Sequence, residues 1–543
     1  MYLPIAVSLA LIVSARSFLD EGVSFPDGDR LMMDGVFIAD YLRDTLANGF
    51  LHPMAYAEQY YAQYPALSIG YKPPLWPAIQ SLLNLPFGPY PVVPRICLLI
   101  LAGLSAAALF QTIRRYCAPQ VAFMATVLTM TTPYLVQWYW YPMTEAPVMS
   151  FIILAAWSFT RYAELRKNRD LIFSVLFLAG AAWIKQPAAY AALWLFLFAL
   201  LTTPSLLSIK QNKAVWLAAI GFLMLLVPVG LLTLEFGALN IDQSVGRGQF
   251  SDAKVLAATQ LLKHPWYIFT DHLTLPVLVL ATGGLMISIA ALWRGADIKK
   301  RHGIILFLML IVSTYVAFTT LSHKIPRYSF FWIPSFGFFS ALFLDFLSRR
   351  VDFRFGIAVF FGVAAFNIFA LYERPVRSLS GPSEAVEYVL KHSKSPIVFV
   401  DAYENGVITY FFRQRDTGRT KWVIRGDKLL SSTAISGSNW LEVHAKNRGD
   451  IRKIFRSYGI QMILVEKNNL IDIPIHDALR EYLRTDEFDL VAEFDTASSV
   501  DSRYNNGQSL QVYKFRDWQP PTADEIVIRI PTVGKTIRVP FQH

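Results

Sequence analysis

The stretch Asp34-Gly-Val-Phe-Ile-Ala-Asp-Tyr-Leu-Arg-Asp-Thr-Leu-Ala-Asn-Gly49 follows one apolar segment of the chain and precedes a series of others. Its spacing predicts a helix with an apolar stripe and a polar stripe, ended by the glycine. A short amphipathic helix between two membrane spans is expected to lie along the interface rather than to cross the bilayer. The apolar stripe comprises Phe37, Ile38, Tyr41, Leu42, Thr45 and Leu46, and the polar stripe comprises Asp40, Arg43, Asp44 and Asn48.

Asp34 is expected at the start of this helix, at the boundary between water and membrane, with Asp27 and Asp29 shortly before it. A carboxylate at a helix N-terminus is stabilised in its charged form by about 0.3–1 kcal/mol. The stretch by itself leaves two roles open for Asp34. It is either a simple helix cap or a chemical group of an active site.

The composition indicates a polytopic membrane protein, because 54% of the 543 residues are hydrophobic and only 17% are charged. The formal charge of +10 does not indicate a nucleic-acid partner, since the basic residues collect in short loops between apolar runs. A membrane span needs about 20 apolar residues. The candidate spans are 2–19, 92–112, 119–136, 145–161, 170–187, 188–206, 214–234, 273–293, 303–321, 328–347 and 355–372.

Basic residues fall in alternate short loops, and the positive-inside rule places those loops in the cytoplasm. The N-terminus is then cytoplasmic as well. The loops 20–91 and 235–272, and everything after about residue 373, are expected on the other side, which for a bacterial inner membrane is periplasmic or extracellular. The basic residues concerned are Arg114, Arg115, Arg161, Arg166, Lys167, Arg169, Lys210, Lys213, Arg294, Lys299, Lys300, Arg301, Arg349, Arg350 and Arg354.

The tail after residue 373 changes character, because its apolar runs shorten to strand length. Strand patterns at 397–400, 461–465, 490–494 and 510–515 alternate with helical patterns at 383–392, 450–458 and 475–484. This alternation predicts a small α/β domain. The predicted fold is therefore an α-helical polytopic membrane domain over 1–372, with about eleven spans and interfacial helices in the loop 20–91. A soluble α/β domain over 373–543 follows it.

Charged side chains recur in the loops predicted to lie outside. Two prolines after Lys72 hold that lysine in a rigid segment near the interface. Glu145 follows an aromatic run and heads a span, and Lys185 ends a span. Ionisable groups at such depth are costly and are candidates for function. The alternatives are a lysine that snorkels to lipid headgroups and a structural pair between Lys185 and Glu145.

Two further loops carry cations. Lys324 and Arg327 depart from the inside bias of the basic residues, and such a pair suits an anion at headgroup level. Lipid phosphate binding without chemistry is the alternative for this pair. Arg247 lies in a glycine-containing stretch of the loop 235–272 that could fold over a phosphate or a sugar.

This inventory suits a reaction with a hydroxyl nucleophile and a phosphate leaving group. A carboxylate accepts the hydroxyl proton, and cations stabilise the departing phosphate. No Ser-His-Asp or Cys-His arrangement at recognisable spacing accompanies these residues. Nucleotide sugars are confined to the cytoplasm, so the expected donor outside is a lipid-linked phosphosugar.

The chain resembles the GT-C superfamily of integral membrane glycosyltransferases. Within it, the resemblance is to the group of lipid A aminoarabinose, galacturonosyl and protein mannosyl transferases, and it covers roughly residues 1–372. Lys72-Pro-Pro-Leu75 is similar to the family's Pro-Pro-Leu element, and Lys185-Gln-Pro187 to its lysine-proline element. The family's carboxylate, its interfacial helix and its outer Lys-x-x-Arg-Tyr element are matched by Asp34, Ala39, Arg43, Leu46, Gly49, Lys324, Arg327 and Tyr328.

By this resemblance Asp34 is the catalytic base. The residues implied to hold the donor phosphate are Lys72, Lys185, Lys324, Arg327 and Tyr328. Further candidates for substrate contact are Asp29, Tyr71, Glu145 and Arg247. The family usually has an acid directly after its catalytic aspartate, where this chain has Gly35. Asp29 or Asp27 is a candidate substitute. The departure weakens the case for a metal-binding carboxylate pair, so a divalent metal is not indicated and no cofactor is predicted.

The function implied is inverting transfer of a sugar from a polyprenyl-phosphate donor to a hydroxyl of an envelope glycan, lipid or protein. The tail domain is expected to help present the acceptor. Two alternatives remain open. One is a flippase or transporter that moves a lipid-linked sugar without chemistry, and the other is an oligosaccharide ligase or polymerase that uses a diphosphate-linked donor.

Overall fold

A computed structural model describes residues 2–19, 27–68, 70–237, 258–295, 297–321, 324–434, 440–530 and 535–540. The described chain comprises a helical region up to residue 372 and a mixed α/β region after it. The helices of the first region are α1 (Tyr2–Ser14), α2 (Gly28–Asn48), α3 (Pro53–Gln63), α4 (Leu75–Phe87), α5 (Val92–Arg114), α6 (Pro119–Met130), α7 (Pro133–Val136), α8 (Glu145–Leu165), α9 (Asn168–Ile184), α10 (Ala191–Thr202), α11 (Lys213–Phe236), α12 (Ala258–Leu261), α13 (Lys263–Tyr267), α14 (Leu275–Trp293), α15 (Ile298–Thr319), α16 (Pro326–Ser329), α17 (Ile333–Arg350) and α18 (Phe353–Tyr372).

Six described helical segments are long and apolar enough to cross a membrane. They are Val92–Arg114, Lys213–Phe236, Leu275–Trp293, Ile298–Thr319, Pro326–Arg350 and Phe353–Tyr372. Three shorter apolar segments, Tyr2–Phe18, Pro119–Met130 and Gln186–Thr202, accompany them. Each predicted span coincides with helical structure, and the chain is a multi-pass membrane protein. The number of eleven spans stays a prediction.

The bundle is held together by one continuous apolar core that runs through its helices. α8 packs against α5 and α9, α17 packs against α6 and α14, and α10 packs against α15. The closest approach between α14 and α17 is at Gly284, where a Cβ atom would overlap the backbone carbonyl of Phe339. Small residues allow helix backbones to approach closely inside membranes, so van der Waals packing can hold the bundle where lipid removes the hydrophobic drive.

Three helices, α2, α3 and α4, occupy the loop predicted to hold interfacial helices. α2 begins at Gly28, six residues before the expected start, and Asp29 is the acid of its first turn. Asp34 therefore lies in the second turn of α2, and its expected position at a helix start was wrong. The stripe prediction also fails at Asp40, which was assigned to the polar stripe but is only 1% exposed.

The region after residue 372 forms the predicted α/β domain. Its helices are α19 (Pro382–His392), α20 (Asn405–Arg415), α21 (Gly426–Leu429), α22 (Arg448–Ser457) and α23 (Pro474–Leu483). Its strands are β1 (Ile397–Asp401), β2 (Trp422–Arg425), β3 (Ser431–Ala434), β4 (Trp440–Val443), β5 (Met462–Glu466), β6 (Phe488–Asp495), β7 (Ser509–Phe515), β8 (Glu525–Ile530) and β9 (Lys535–Pro540).

Five of these strands form one sheet in the order β2-β1-β5-β7-β6. β1 pairs in parallel with β2 and β5, whereas β7 runs antiparallel to β5 and β6. On one face of the sheet, strand residues belong to the same buried apolar cluster as Met32, Met33, Val36 and Phe37 of α2, and α2 packs against α20 of the tail domain. The other face reaches α3 through Ala62. The tail domain thus shares apolar cores with α2 and α3.

We expect Gly284→Ala to lower the stability of the bundle, because the added methyl group overlaps a backbone carbonyl that cannot move without displacing α17. Overpacking of this kind costs about 1–3 kcal/mol. Thermal unfolding of the detergent-purified protein should show a lower midpoint. Gly362→Ala in α18 is the matched control, since nothing lies within 4 Å of a Cβ there. A midpoint unchanged in both variants would contradict the close contact.

Candidate functional site

Asp34 is held by the loop that follows α3. Its Oδ1 accepts a hydrogen bond of 2.8 Å from the backbone N–H of Ser68, and its Oδ2 accepts one from the Ser68 hydroxyl. The carbonyl of Ser68 in turn accepts from the backbone N–H groups of Tyr71 and Lys72, each at 3.0 Å. Asp34 is 1% exposed. The carboxylate therefore fixes the turn that carries Lys72.

Lys72 and Arg327 meet at a carboxylate that precedes α2. The Lys72 Nζ lies 2.9 Å from Asp27 Oδ1, and the Arg327 Nη1 lies 3.7 Å from Asp27 Oδ2. The charge of Lys72 is the largest influence that holds the pKa of Asp27 well below its usual range, and Arg327 adds to it. Asp27 is therefore ionised at physiological pH.

Arg327 also joins a second ion pair at the ends of two helices. The Lys185 Nζ lies 2.8 Å from Glu145 Oε1, and the Arg327 Nε lies 3.9 Å from the same oxygen. Glu145 is the first residue of α8 and is fully buried, while Lys185 directly follows α9. Lys185 and Glu145 thus form an ion pair, as one sequence alternative proposed, and the donor-binding role of Lys185 stays a prediction.

The aromatic ring of Tyr328 lies beside two of these cations, Lys185 and Arg327. Its ring centroid lies 5.1 Å from the Lys185 Nζ and 5.6 Å from the guanidinium carbon of Arg327, both within cation–π range. Three cations, two carboxylates and one ring from five separate segments thus converge. We call Asp27, Lys72, Glu145, Lys185, Arg327 and Tyr328 the charged cluster, and the end of the bundle that carries it the site end.

The remaining predicted site residues lie in different positions. Lys324 is 7% exposed and donates to the carbonyl of Leu321 at 2.6 Å. Tyr71 lies in the same turn as Lys72, and burial raises the pKa of its phenol to about 12. Asp29 faces the tail domain at Gly406. Arg247 lies outside the described residues.

The sequence assigned no role to Ser68, although it is the residue that holds Asp34. Its only signal was a short polar side chain inside the proline- and glycine-containing stretch Tyr64–Pro77. Asp27 was noted as one acid of a group and as a candidate substitute for the family's second acid, but not as a partner of Lys72. Its pairing with Lys72 spans a loop and a helix that no spacing rule connects.

The close packing around Gly35 explains why no acid directly follows Asp34, where the resemblance leads us to expect one. A Cβ atom on Gly35 would lie 3.0 Å from the Cβ of Gln80 and 3.3 Å from the side-chain nitrogen of Asn84. α2 thus crosses α4 at short range here, and an acidic side chain has little room. Among the described residues, no group of three or more His, Cys, Asp or Glu side chains is arranged to hold a metal ion.

The fold and the charged cluster together define a multi-pass membrane protein with a buried carboxylate and several cations gathered at one end of its bundle. The sequence over residues 71–231 matches the family model of dolichyl-phosphate-mannose-protein mannosyltransferase. That match covers less than a third of the chain. A search of curated proteins found no match.

Two solved structures share the architecture. ArnT from Cupriavidus metallidurans bound to undecaprenyl phosphate aligns with a TM-score of 0.56 at 12% identity, over 94% of this chain and 98% of that one. The Archaeoglobus fulgidus oligosaccharyltransferase, in complex with Zn and sulfate, aligns with a TM-score of 0.56 at 11% identity, over 86% of this chain and 68% of that one. At these identities the likeness shows the fold alone, and that fold agrees with the resemblance predicted from the sequence.

A second group of acids lies where the tail domain meets α2. Burial raises the pKa of Asp29 to about 7, and burial followed by the charge of Asp29 raises that of Glu404 to about 8. Burial raises the pKa of Glu466 to about 7, although Glu466 accepts hydrogen bonds from Tyr403 and Tyr504. These carboxyls bind protons more tightly in the docked protein than in water.

This arrangement predicts that stability falls as pH rises. The acids bind protons in the folded state up to about pH 7–8 but lose them near their ordinary values when unfolded. The stability that these acids contribute is fully present below their ordinary pKa of about 4, falls as the pH rises above it, and is lost once the pH passes about 8. Thermal unfolding should show a midpoint that falls between pH 6 and 8 and levels off by pH 9. Glu404→Gln should flatten that slope, whereas Glu387→Gln, at an exposed ion pair with Arg415, should not. An identical slope in all three proteins would contradict the prediction.

Proposed function

We propose that the protein is an inverting glycosyltransferase that moves a sugar from a polyprenyl-phosphate donor to an acceptor hydroxyl. The observation that carries the proposal is the convergence of Lys72, Lys185 and Arg327 from three separate segments at one end of the bundle. Cations in such a place suit a phosphate, with Arg327 able to grip two oxygens and the lysines acting as point charges. The solved ArnT of the same fold carries undecaprenyl phosphate.

In the proposed reaction, Asp34 accepts the proton of the acceptor hydroxyl. The hydroxyl oxygen forms a bond to the anomeric carbon, and the bond from that carbon to the phosphate oxygen breaks on the opposite face. The phosphate leaves with the electron pair, and the cations stabilise its added charge. The Ser68 hydroxyl now occupies Asp34 Oδ2. A carboxylate oxygen can accept more than one hydrogen bond, so an acceptor hydroxyl can bind Oδ2 beside the Ser68 hydroxyl or replace it.

Basic residues support an orientation with the site end outside. Arg114 ends α5, Lys213 begins α11 and Arg350 ends α17. These helix ends lie away from Glu145, Lys185 and Arg327, so the positive-inside rule favours a cytoplasmic location for them. We propose a bacterial inner membrane, a cytoplasmic N-terminus, and a periplasmic or extracellular tail domain. Acceptor candidates are then envelope glycans, lipids and proteins.

We expect Asp34→Asn to lower kcat at least about 100-fold, because proton transfer by a positioned base contributes about 10²–10⁴-fold. The amide oxygen can still accept from Ser68, so the fold and the affinity for polyprenyl phosphate should remain. Transfer is measured in proteoliposomes that contain lipid extracts as donor and acceptor. Asp345→Asn, at an ion pair with Arg349 near the other end of the bundle, is the control. Undiminished transfer would remove Asp34 from the mechanism. Lipid-linked sugar that crosses the bilayer without transfer would favour the flippase alternative.

The ion pairs of Asp27 predict opposite effects for two substitutions on donor binding. Asp27 is paired with Lys72 and Arg327, the cations that a donor phosphate would need, and both cations are partly exposed. Asp27→Asn should therefore tighten undecaprenyl phosphate binding about two- to fivefold, which corresponds to about 0.5–1 kcal/mol. Arg327→Gln should weaken it about tenfold or more, as expected for the loss of a charged hydrogen bond.

Native mass spectrometry of the purified protein with undecaprenyl phosphate measures both effects. Glu373→Gln, at an exposed acid after α18, is the control. Weaker binding in Asp27→Asn would show that Asp27 supports the site instead of competing with the phosphate. A preference for undecaprenyl diphosphate would favour the ligase or polymerase alternative.

A further inference from the structure

Two arginines of the tail domain form ion pairs with two acids on one face of α2. The Arg413 Nε and Nη2 lie 2.7 and 2.6 Å from the two carboxylate oxygens of Asp40. The Arg419 Nη1 and Nη2 lie 2.6 and 2.7 Å from the two oxygens of Asp44. Each contact is a bidentate ion pair, called a fork below, which constrains the orientation of the two side chains as well as their distance.

The pair at Asp40 is the more deeply buried. Asp40 is 1% and Arg413 is 5% exposed. Asp40 also accepts hydrogen bonds of 2.8 Å from the hydroxyl of Tyr60 and from Arg43. A buried carboxylate with its oxygens fully occupied has one stable arrangement, because any rotation of α2 would leave charge unpaired. Asp40 and Asp44 are one turn apart, so the two forks together set the rotation and the axial position of α2.

The tail domain also contacts the segment that leads to Ser68, the hydrogen-bond partner of Asp34. Arg425 donates to the carbonyl of Pro65 at 2.5 Å, three residues before Ser68. The carbonyls of Arg419 and Lys421 accept hydrogen bonds from the side-chain nitrogen of Gln63. One rigid domain thus contacts both the helix that carries Asp34 and the segment that carries Ser68 and Lys72.

We infer that the tail domain sets the position of Asp34 against the charged cluster, and that Arg413 is a positioning residue which acts through Asp40. Asp40 lies six residues after Asp34, about 9 Å along the helix axis, so a stiff helix carries the constraint from one to the other. The sequence predicted a domain that presents the acceptor, and this inference assigns it a different task. It rests on the proposed transferase function.

The test compares a neutralised fork with an exposed ion pair in the same helix. The double variant Asp40→Asn/Arg413→Gln removes both charges, so no buried charge is left unpaired and the protein should fold. Arg415→Gln is the matched control, because Arg415 belongs to α20 but pairs with Glu387 at the surface. The full-length protein in proteoliposomes supplies kcat and KM, and native mass spectrometry supplies the affinity for undecaprenyl phosphate.

We expect the double variant to lower kcat about 10- to 100-fold, with KM and undecaprenyl phosphate affinity within about twofold of the parent, since misplacement by about 1 Å can cost 100-fold. Arg413→Lys keeps the positive charge but cannot bind both oxygens of Asp40 in the same way. Its kcat should lie between those of the double variant and the parent. The control should match the parent. An unchanged kcat in the double variant would overturn the inference, as would a loss of kcat that only follows the folded fraction.

Hydrogen–deuterium exchange separates this inference from the proposed function. In the double variant, peptides that cover 28–39 and 66–72 should lose protection, and in Arg415→Gln they should not. If the parent transfers no sugar but this pattern appears, the proposed function fails and the positioning role stands. If protection at both peptides is unchanged in the double variant, the positioning role fails whatever the activity.

Discussion

The buried ion pair between Asp40 and Arg413 is the contact on which the arrangement of the site depends. A carboxylate that is 1% exposed requires several donors, and those of Asp40 come from the tail domain, from α3 and from its own helix. Because three elements meet on one side chain, α2 has a defined rotation. That rotation turns Asp34 toward Ser68 and brings the start of α2 beside Lys72.

In the charged cluster, too, each charged side chain contacts a group of opposite charge. Arg327 lies between Asp27 and Glu145, and each of those carboxylates also has a lysine. Three cations against two carboxylates leave the group with a net positive charge. Such a group suits an anion that arrives with its own charge, because the protein dipoles and charges are already in place and need little reorganisation.

Tertiary contacts overrode the local pattern at two points of α2. The helical period correctly predicted a helix, but it assigned Asp40, which is 1% exposed, to the polar stripe. Asp40 is buried because the tail domain covers that face with an arginine. The helix begins at Gly28, so Asp34 packs in the second turn rather than capping the first. Both differences arise because periodicity describes one helix and contains no information on what packs against it.

The sequence by itself determined the apolar helices of the membrane region, helix α2 in the loop 20–91 and the α/β alternation of the tail. Each of these depends on composition and spacing within about 20 residues. Only the tertiary structure decided which charges meet. The pair Arg413–Asp40 joins residues 373 apart, and Arg419–Asp44 joins residues 375 apart. Partners at such separations are chosen by the packing of whole helices and of the tail domain, since nothing in the local spacing of either residue specifies the other.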